Sequence, residues 1–384
     1  MPQIKPEVET FARIKVIGIG GSGKNALNHM INSKVKGVDF ISINTDAQDL
    51  HHSLARKKIH IGKNLTKGLG AGMNPEIGKR ASEETKEEIQ EAIKGADMVF
   101  IAGGEGGGTG TGAAPVVAKT SKELGILTIA VVTKPFTFEG MQRSRLAEAG
   151  IEELKKNVDA IIIIPNDKLM GAITKETTAR SAFMMCDEIL KQAVEGISDL
   201  ITTPGTIGNI DFADIRAVLE NAGSALMGIG TASGENRASE AAKNAINSPL
   251  LDLSIHGAKG VLFSIAGGED LTMFEIQDAA KIITESVDPN AKIIFGTVTG
   301  ENIKKGEVRV TVVAAGFPDQ TQKKSLFEKE SPTPERPAIF NSISKPKDEI
   351  PPPTNSTTTS NIQRDENEDD WGAIPAFLRR SKLK

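Results

Sequence analysis

Hydrophobic positions along this chain fall in short uninterrupted runs, separated by glycine turns and by amphipathic stretches. Residues 13–18 (RIKVIG) form an apolar run that passes at once into a glycine turn, and 25–32 carry helical spacing. Residues 39–43 (DFISI) form the next run. Strand, glycine turn, helix, strand is the signature of a βαβ unit. The alternation continues. A charged stretch at 82–94 opens with a capping-box pattern and predicts a helix, and 98–102 predicts a strand. Helix 115–124, strand 126–132, helix 142–157 and strand 160–164 follow. Runs that are apolar throughout predict a parallel sheet covered on both faces. The expected fold class is α/β, with a doubly wound parallel-sheet domain over 13–177.

The longest helical pattern comes next. Ala182, Phe183, Met185, Cys186, Ile189, Leu190, Ala193, Val194 and Ile197 recur along it. That stripe is too wide for a surface helix and predicts a long central helix (178–201) buried between two domains. Helices at 211–221 and 235–246 and strands at 261–266, 292–298 and 307–315 predict a second α/β domain over 202–317.

The two ends look different. Residues 1–12 carry Pro2 and Pro6 without apolar periodicity and are expected to form a disordered arm. Residues 318–370 are dominated by Pro, Ser, Thr, Asn, Lys and Glu, and bury too little apolar surface to order themselves. A flexible linker of that length reaches about 40 Å. In 371–384 (WGAIPAFLRRSKLK) apolar residues return beside basic ones, as in a partner-docking peptide or a frayed terminus.

Composition narrows the function classes. A net charge of −4 gives no basic field for nucleic acid, and 4% aromatics with no tyrosine leave few stacking platforms. The lone Cys186 excludes an intrachain disulfide and fits a reducing compartment. No run of about 18 apolar residues predicts a membrane span. The N-terminus lacks an apolar signal core, so the expected location is the cytoplasm. The five histidines show no ligand spacing, and no metal site is predicted from protein side chains.

Two glycine loops carry the chemistry. Residues 18–23 (GIGGSG) fit the dinucleotide pattern and nearly fit a P-loop. Asn25 stands where a P-loop needs Ser or Thr for magnesium. Alone, this loop indicates an anion at a helix N-terminus or a tight βα turn. Residues 103–112 (GGEGGGTGTG) lie between a predicted strand and a helix thought to open at Pro115. Glycines there let backbone N–H groups converge on an anion, and Thr109 and Thr111 add hydroxyls. Both loops follow parallel strands and point into one crevice, with donors enough for a di- or triphosphate.

Residues 106–112 (GGGTGTG) resemble the signature loop of the tubulin/FtsZ superfamily. Residues 44–46 (NTD), 68–78 (GLGAGMNPEIG), 135–140 (PFTFEG), 209–214 (NIDFAD) and the tip 374–380 (IPAFLRR) resemble bacterial FtsZ rather than tubulin. The resemblance spans 11–317. It implies a filament-forming GTPase of cell division that polymerises head to tail and hydrolyses GTP at subunit interfaces. It also implies GTP or GDP as ligand, Mg2+ carried with the nucleotide, and a ring at the division site. Its partners would be further copies of itself, with membrane-tethering and regulatory division proteins bound through 374–380.

The resemblance also assigns residues. Gly20, Gly21, Ser22, Gly23, Lys24 and Asn25 would hold the α and β phosphates, and Ala71, Gly72 and Met73 would lie near the γ phosphate. Gly106, Gly107, Gly108, Thr109, Gly110, Thr111 and Gly112 would cradle the phosphate chain. Glu139 and Arg143, one helical turn apart, would contact the ribose. Asn44 and Asn166 would assist around sugar and base, and Phe183 would stack on the base. Asp187 would read guanine, accepting from N1–H and the exocyclic amine, where adenine offers an acceptor instead. As a bland alternative, Asp187 is a solvated helix residue. Asp211 and Asp214, with Asn209, would enter the site of the next subunit and polarise the attacking water; alternatively Asp211 only caps a helix.

Three positions depart from the pattern: Ser22, Lys24 and Glu105. Lys24 is expected to ion-pair with phosphate. Glu105, where the pattern has an apolar methionine, should repel the γ phosphate unless it points away or helps hold magnesium. Two other readings compete: a dinucleotide-dependent oxidoreductase using Gly18, Gly20 and Gly23 with Asp39 or Asp46, and a non-hydrolysing GTP-bound scaffold.

Overall fold

The computed structural model describes residues 12–172, 176–202, 210–248, 255–268, 270–299, 303–304 and 306–317. Asn209, the arm up to residue 11, the linker and the tip lie outside the described residues.

The first half alternates strand and helix. In order come β1 (Ile14–Ile19), α1 (Gly20–Asn32), β2 (Val38–Asn44), α2 (Ala47–His51), β3 (Lys57–His60) and α3 (Lys63–Thr66). Next are α4 (Pro75–Glu84), α5 (Lys86–Ile93), β4 (Met98–Gly104), α6 (Thr109–Glu123), β5 (Leu127–Lys134), α7 (Met141–Lys155) and β6 (Ala160–Pro165). The second half holds α8 (Ala179–Thr202), α9 (Phe212–Leu219), β7 (Gly223–Ser233), α10 (Arg237–Ile246), β8 (Gly260–Gly267), α11 (Met273–Glu285), β9 (Lys292–Thr299) and β10 (Glu307–Ala315). One sheet runs β3-β2-β1-β4-β5-β6-β7-β10-β8-β9. The strands from β3 to β6 are parallel, and β10 is antiparallel to both neighbours.

Alternate residues of each strand feed opposite cores, as a pleated strand requires. Val16, Phe100 and Val131 join α1, α8 and α9 on one face. Ile17, Ile101 and Val132 join α4, α5, α6 and α7 on the other. Both faces are dry, which explains the uninterrupted apolar runs. β6 and β7 pair over only three residues, Ala160↔Gly223 to Ile162↔Ala225, so the two expected sheets meet at a narrow seam. The central helix α8 buries Ala182, Cys186, Leu190, Ala193, Val194 and Ile197.

Several expectations are corrected. The 82–94 helix is two helices: the Thr85 hydroxyl bonds the Ala81 carbonyl at 3.1 Å, and the chain breaks there. Ser82 is internal to α4 rather than its cap, and Asn74 caps that helix by accepting from Glu76 N–H at 3.0 Å. Pro115 does not open α6, which begins at Thr109 inside the glycine run. Helix α1 likewise starts at Gly20.

The parallel strands give the sheet two distinct edges, one at each end of the strands. At its carboxyl edge end β1, β4, β5 and β6. At the opposite edge, Thr202 at the end of α8 abuts Gly37, just before β2. Arg216 of α9 donates there to the Gly125 carbonyl at 3.2 Å, just before β5. The two edges are roughly 20 Å apart, the span of a seven-residue strand.

Candidate functional site

A cavity of about 380 Å³ opens at the carboxyl edge. Gly20, Gly21, Ser22 and Asn25 of α1 line one side, and Gly107, Gly108, Thr109 and Gly110 line another. Thus the two glycine loops meet, and a Cβ on Gly20 would stand 3.2 Å from the Gly110 nitrogen. Neither α1 nor α6 has a side-chain cap at its N-terminus. The first-turn N–H groups of both helices are therefore available to an anion, and both helix dipoles favour one.

Other members of the glycine runs do structural work. A Cβ on Gly23 would lie 2.6 Å from the Ala102 carbonyl oxygen, so this glycine lets α1 press on β4. Any side chain on Gly112 would overlap the Pro75 carbonyl, so this glycine sets the packing of α4 on α6. Gly106, at φ +96°, donates to Thr111 Oγ1 at 2.9 Å. Ala71 is buried, and a Cβ on Gly108 would sit 2.9 Å from its methyl. Gly72 and Met73 follow with φ of +56° and +60°, outside the cavity lining.

Lys24 is not turned to the phosphate end. Its ammonium meets Asp49 Oδ1 at 2.5 Å, and Asp49 Oδ2 accepts from Asn44 Nδ2 at 2.8 Å. Asn44 Oδ1 accepts from the Asp46 N–H at 3.2 Å. Both expected ligand groups are thus held by protein partners, behind the loop they were expected to serve.

The other end of the cavity is made of side chains. Glu139 Oε2 accepts from Arg143 at 2.8 Å, and Oε1 accepts from the Phe136 N–H at 3.0 Å. Phe183, half exposed, meets the buried Phe136 edge to face at 5.6 Å. Asn166 is buried and its Oδ1 has no partner, an orphaned acceptor on the cavity wall. Asp187 also lines the cavity. Burial pushes its carboxyl up to about 6, against the pull of His29 and Lys24. Cys186 borders the same space, and its thiol is pushed up to about 12 by burial and by Asp187, which keeps it unreactive.

Sequence reasoning quoted Thr45 and Pro135 within motifs without giving them a role, and missed Asp49 and Thr133. Thr45 Oγ1 meets Thr109 Oγ1 at 2.6 Å and fixes the second loop to the end of β2. Thr133 and Pro135 line the cavity from the end of β5. The signal available was their position at or just after the end of an apolar strand.

Glu105 is buried, with its Oε2 unpartnered and its side chain beside Gly150 of α7. Of the alternatives set for it, the carboxyl points away from the phosphate end. Among the described residues no group of three or more His, Cys, Asp or Glu side chains gathers to hold a metal. The Mg2+ implied by resemblance would thus find no acidic cage here and would rely on phosphate oxygens.

Asp211 and Asp214 do not line the cavity. They form a capping box at the start of α9, at the opposite edge of the sheet. Asp214 N–H donates to Asp211 Oδ1 at 2.8 Å, and Asp211 N–H donates to Asp214 Oδ2 at 3.4 Å.

Two helix N-termini converge on one cavity, with a carboxylate and an orphaned amide at its far end, an arrangement suited to an anionic ligand that also carries hydrogen-bond donors. Residues 13–174 match the Tubulin/FtsZ family GTPase domain, and 223–318 match the FtsZ family C-terminal domain. The structure is similar to an empty dimer of FtsZ from M. jannaschii, with 48% identity, a TM-score of 0.76, and coverage of 80% of this chain and 89% of that one. A mutant form of the same M. jannaschii protein gives 48% identity and a TM-score of 0.76, covering 80% of this chain and 92% of that chain. CetZ2 from Haloferax volcanii, solved as a GTPγS-bound protofilament, shares the fold at 20% identity and a TM-score of 0.69, over 83% of this chain and 97% of that chain. The chain belongs to the FtsZ family, the filament-forming GTPases of cell division. That membership sets aside the oxidoreductase and the non-hydrolysing scaffold. No helix among the described residues is long and apolar enough to cross a membrane.

Proposed function

We propose that guanine nucleotide occupies the carboxyl-edge cavity, and that one copy completes the hydrolytic site of the next by head-to-tail assembly. The observation that carries this reading is the split between the edges: the cavity lies at one, the Asp211–Asp214 pair at the other. No single copy brings them together, whereas stacking copies along the strand direction apposes them.

In this reading the N-termini of α1 and α6 hold the phosphates, and Asn25, Ser22 and Thr109 add side-chain donors. Asp187 accepts from guanine N1–H and its amine. Asn166 offers its free acceptor, Phe183 stacks on the base, and the Glu139–Arg143 pair borders the ribose. The capping box uses one oxygen of each aspartate. The other oxygen of each is left to orient and polarise water in line with the γ phosphate, with Asn209 beside them. Phosphoryl transfer depends mainly on positioning and electrostatics, so assembly gates the rate. Any Mg2+ carried with the nucleotide would be held by its phosphate oxygens and would supply neutralising charge. The protein works in the cytoplasm at the midcell division ring. Its tip, 374–380, docks membrane-tethering and regulatory division proteins.

Two variants test the shared site. Asp214→Ala should bind GTP normally and lose at least 100-fold in phosphate release. Asp187→Ala should supply intact aspartates but bind GTP poorly. Mixing the two should restore release above either alone. A mixture no faster than its components excludes complementation between copies.

A further inference from the structure

Glu105 stands inside the phosphate-loop glycine run, yet its carboxyl does nothing in the reaction as derived above. Its backbone borders the cavity, with its N–H bonded to the Thr133 carbonyl at 2.9 Å. Its side chain turns behind the loop into the gap between α6 and α7 and is 6% exposed. Gly150 makes the room: a Cβ there would stand 2.7 Å from Glu105 Oε2. That oxygen has no partner. The Thr111 hydroxyl bonds the carboxyl, and the same hydroxyl oxygen accepts from the Gly106 N–H at 2.9 Å. A short relay therefore runs from the carboxyl through Thr111 to the backbone of the phosphate loop.

We propose that Glu105 is a proton-linked positioning residue: nucleotide binds when its carboxyl is neutral, and its ionisation drives the phosphates out. This rests on the nucleotide occupying the carboxyl-edge cavity. An ionised carboxylate behind the loop has one oxygen without a donor and no cation bonded to it. The charged groups on the packed elements are engaged elsewhere or face the groove beyond Thr111 and Gly150. Arg143 of α7 is bonded to Glu139. Lys119 of α6, Glu76 and Lys79 of α4, and Glu153 of α7 line that outer groove. Burial raises the carboxyl to about 7, with the Thr111 bond opposing, so both forms are populated near neutrality. A polyphosphate on the other side of the loop adds like charge and disfavours ionisation further. By linkage, binding then takes up a proton, and affinity falls as pH rises through and above 7, by at most about tenfold per pH unit.

The test measures GDP binding with Mg2+ on the full chain from pH 6.5 to 8.5, for the wild type, Glu105→Gln and Glu105→Met. Titration of the nucleotide and of Asp187 is common to all three and cancels in the ratios. The wild-type Kd should rise at least fivefold relative to Glu105→Gln across this range. Calorimetry at pH 7.5, in two buffers of different ionisation enthalpy, should show proton uptake by the wild type beyond that of either variant. A wild-type-to-variant ratio that stays flat, with equal proton uptake, overturns the inference and leaves the nucleotide site standing. If the variants do not fold, the wild type still decides: absence of net proton uptake at pH 7.5 overturns it. Failure of the wild type to bind GDP at any pH overturns both the inference and the site.

Discussion

The two ends of the cavity are built from different materials. At the end proposed for phosphate a ligand would face backbone: two uncapped helix starts and glycines whose missing side chains let the elements touch. At the end proposed for the base it would face side chains, Asn166, Phe183 and Asp187, one with an orphaned acceptor and one with a carboxyl shifted by burial. A backbone surface recognises charge and cannot be tuned one atom at a time. A side-chain surface recognises a pattern of donors and can be changed without disturbing the fold. Affinity should therefore reside mainly at the first end and selectivity at the second.

Substitutions can break this comparison, and the largest effect should come from a glycine that packs the helix behind the phosphate end. Gly112→Val forces a side chain into the Pro75 carbonyl. It should cost about 3 kcal/mol or more and depress the unfolding temperature along with binding. Next comes Asp187→Ala. GTP affinity should drop roughly 100-fold, about 3 kcal/mol, while affinity for inorganic triphosphate stays unchanged. Equal losses for both ligands would show that the ends are not separable. The pH dependence sharpens the same point. On the proposed reading guanine pairs with the Asp187 carboxylate, so binding would release a proton when pH lies near or below about 6. GDP affinity should weaken as pH falls from 6 to 5, more for the wild type than for Asp187→Asn. The smallest effect should be that of Lys24→Asn. Its ammonium already belongs to Asp49, so GDP affinity should change by less than about threefold, measured by fluorescent-nucleotide displacement.

The phosphate end was legible in the sequence because glycine runs after apolar strands are local signals. The base end was legible only through resemblance, since Asn166, Phe183 and Asp187 are ordinary residues in a loop and on a long helix. Contacts between distant segments escaped both routes. Nothing near Lys24 announces Asp49, which is 25 positions away, and nothing near Thr109 announces Thr45, 64 positions away. Of the fold, the parallel core strands were readable because burial on both faces keeps them apolar. Strand β7 was not, because Gly223, Gly228 and Gly230 dilute its β signal. Helix α11 was missed although Thr272 and Glu275 form a readable capping box before Ile276, Ala279 and Ile283. The early start of α6 went unread because glycine propensity argues against a helix that tertiary packing on α4 imposes.

The uncapped starts of α1 and α6 have a consequence for how long a monomer survives. Other helices also start without a side-chain cap, but these two start at the cavity wall and, on the proposed reading, would borrow theirs from the solute. Bound nucleotide at 100 times its Kd adds about 2.7 kcal/mol to the folded state. On the proposed reading the guanine nucleotide pool would thus serve as an external part of the polypeptide's architecture. A subunit stripped of nucleotide would then be not an idle form awaiting fuel but one whose two glycine-built helix starts have lost their scaffold, and it should age fastest when the pool runs low.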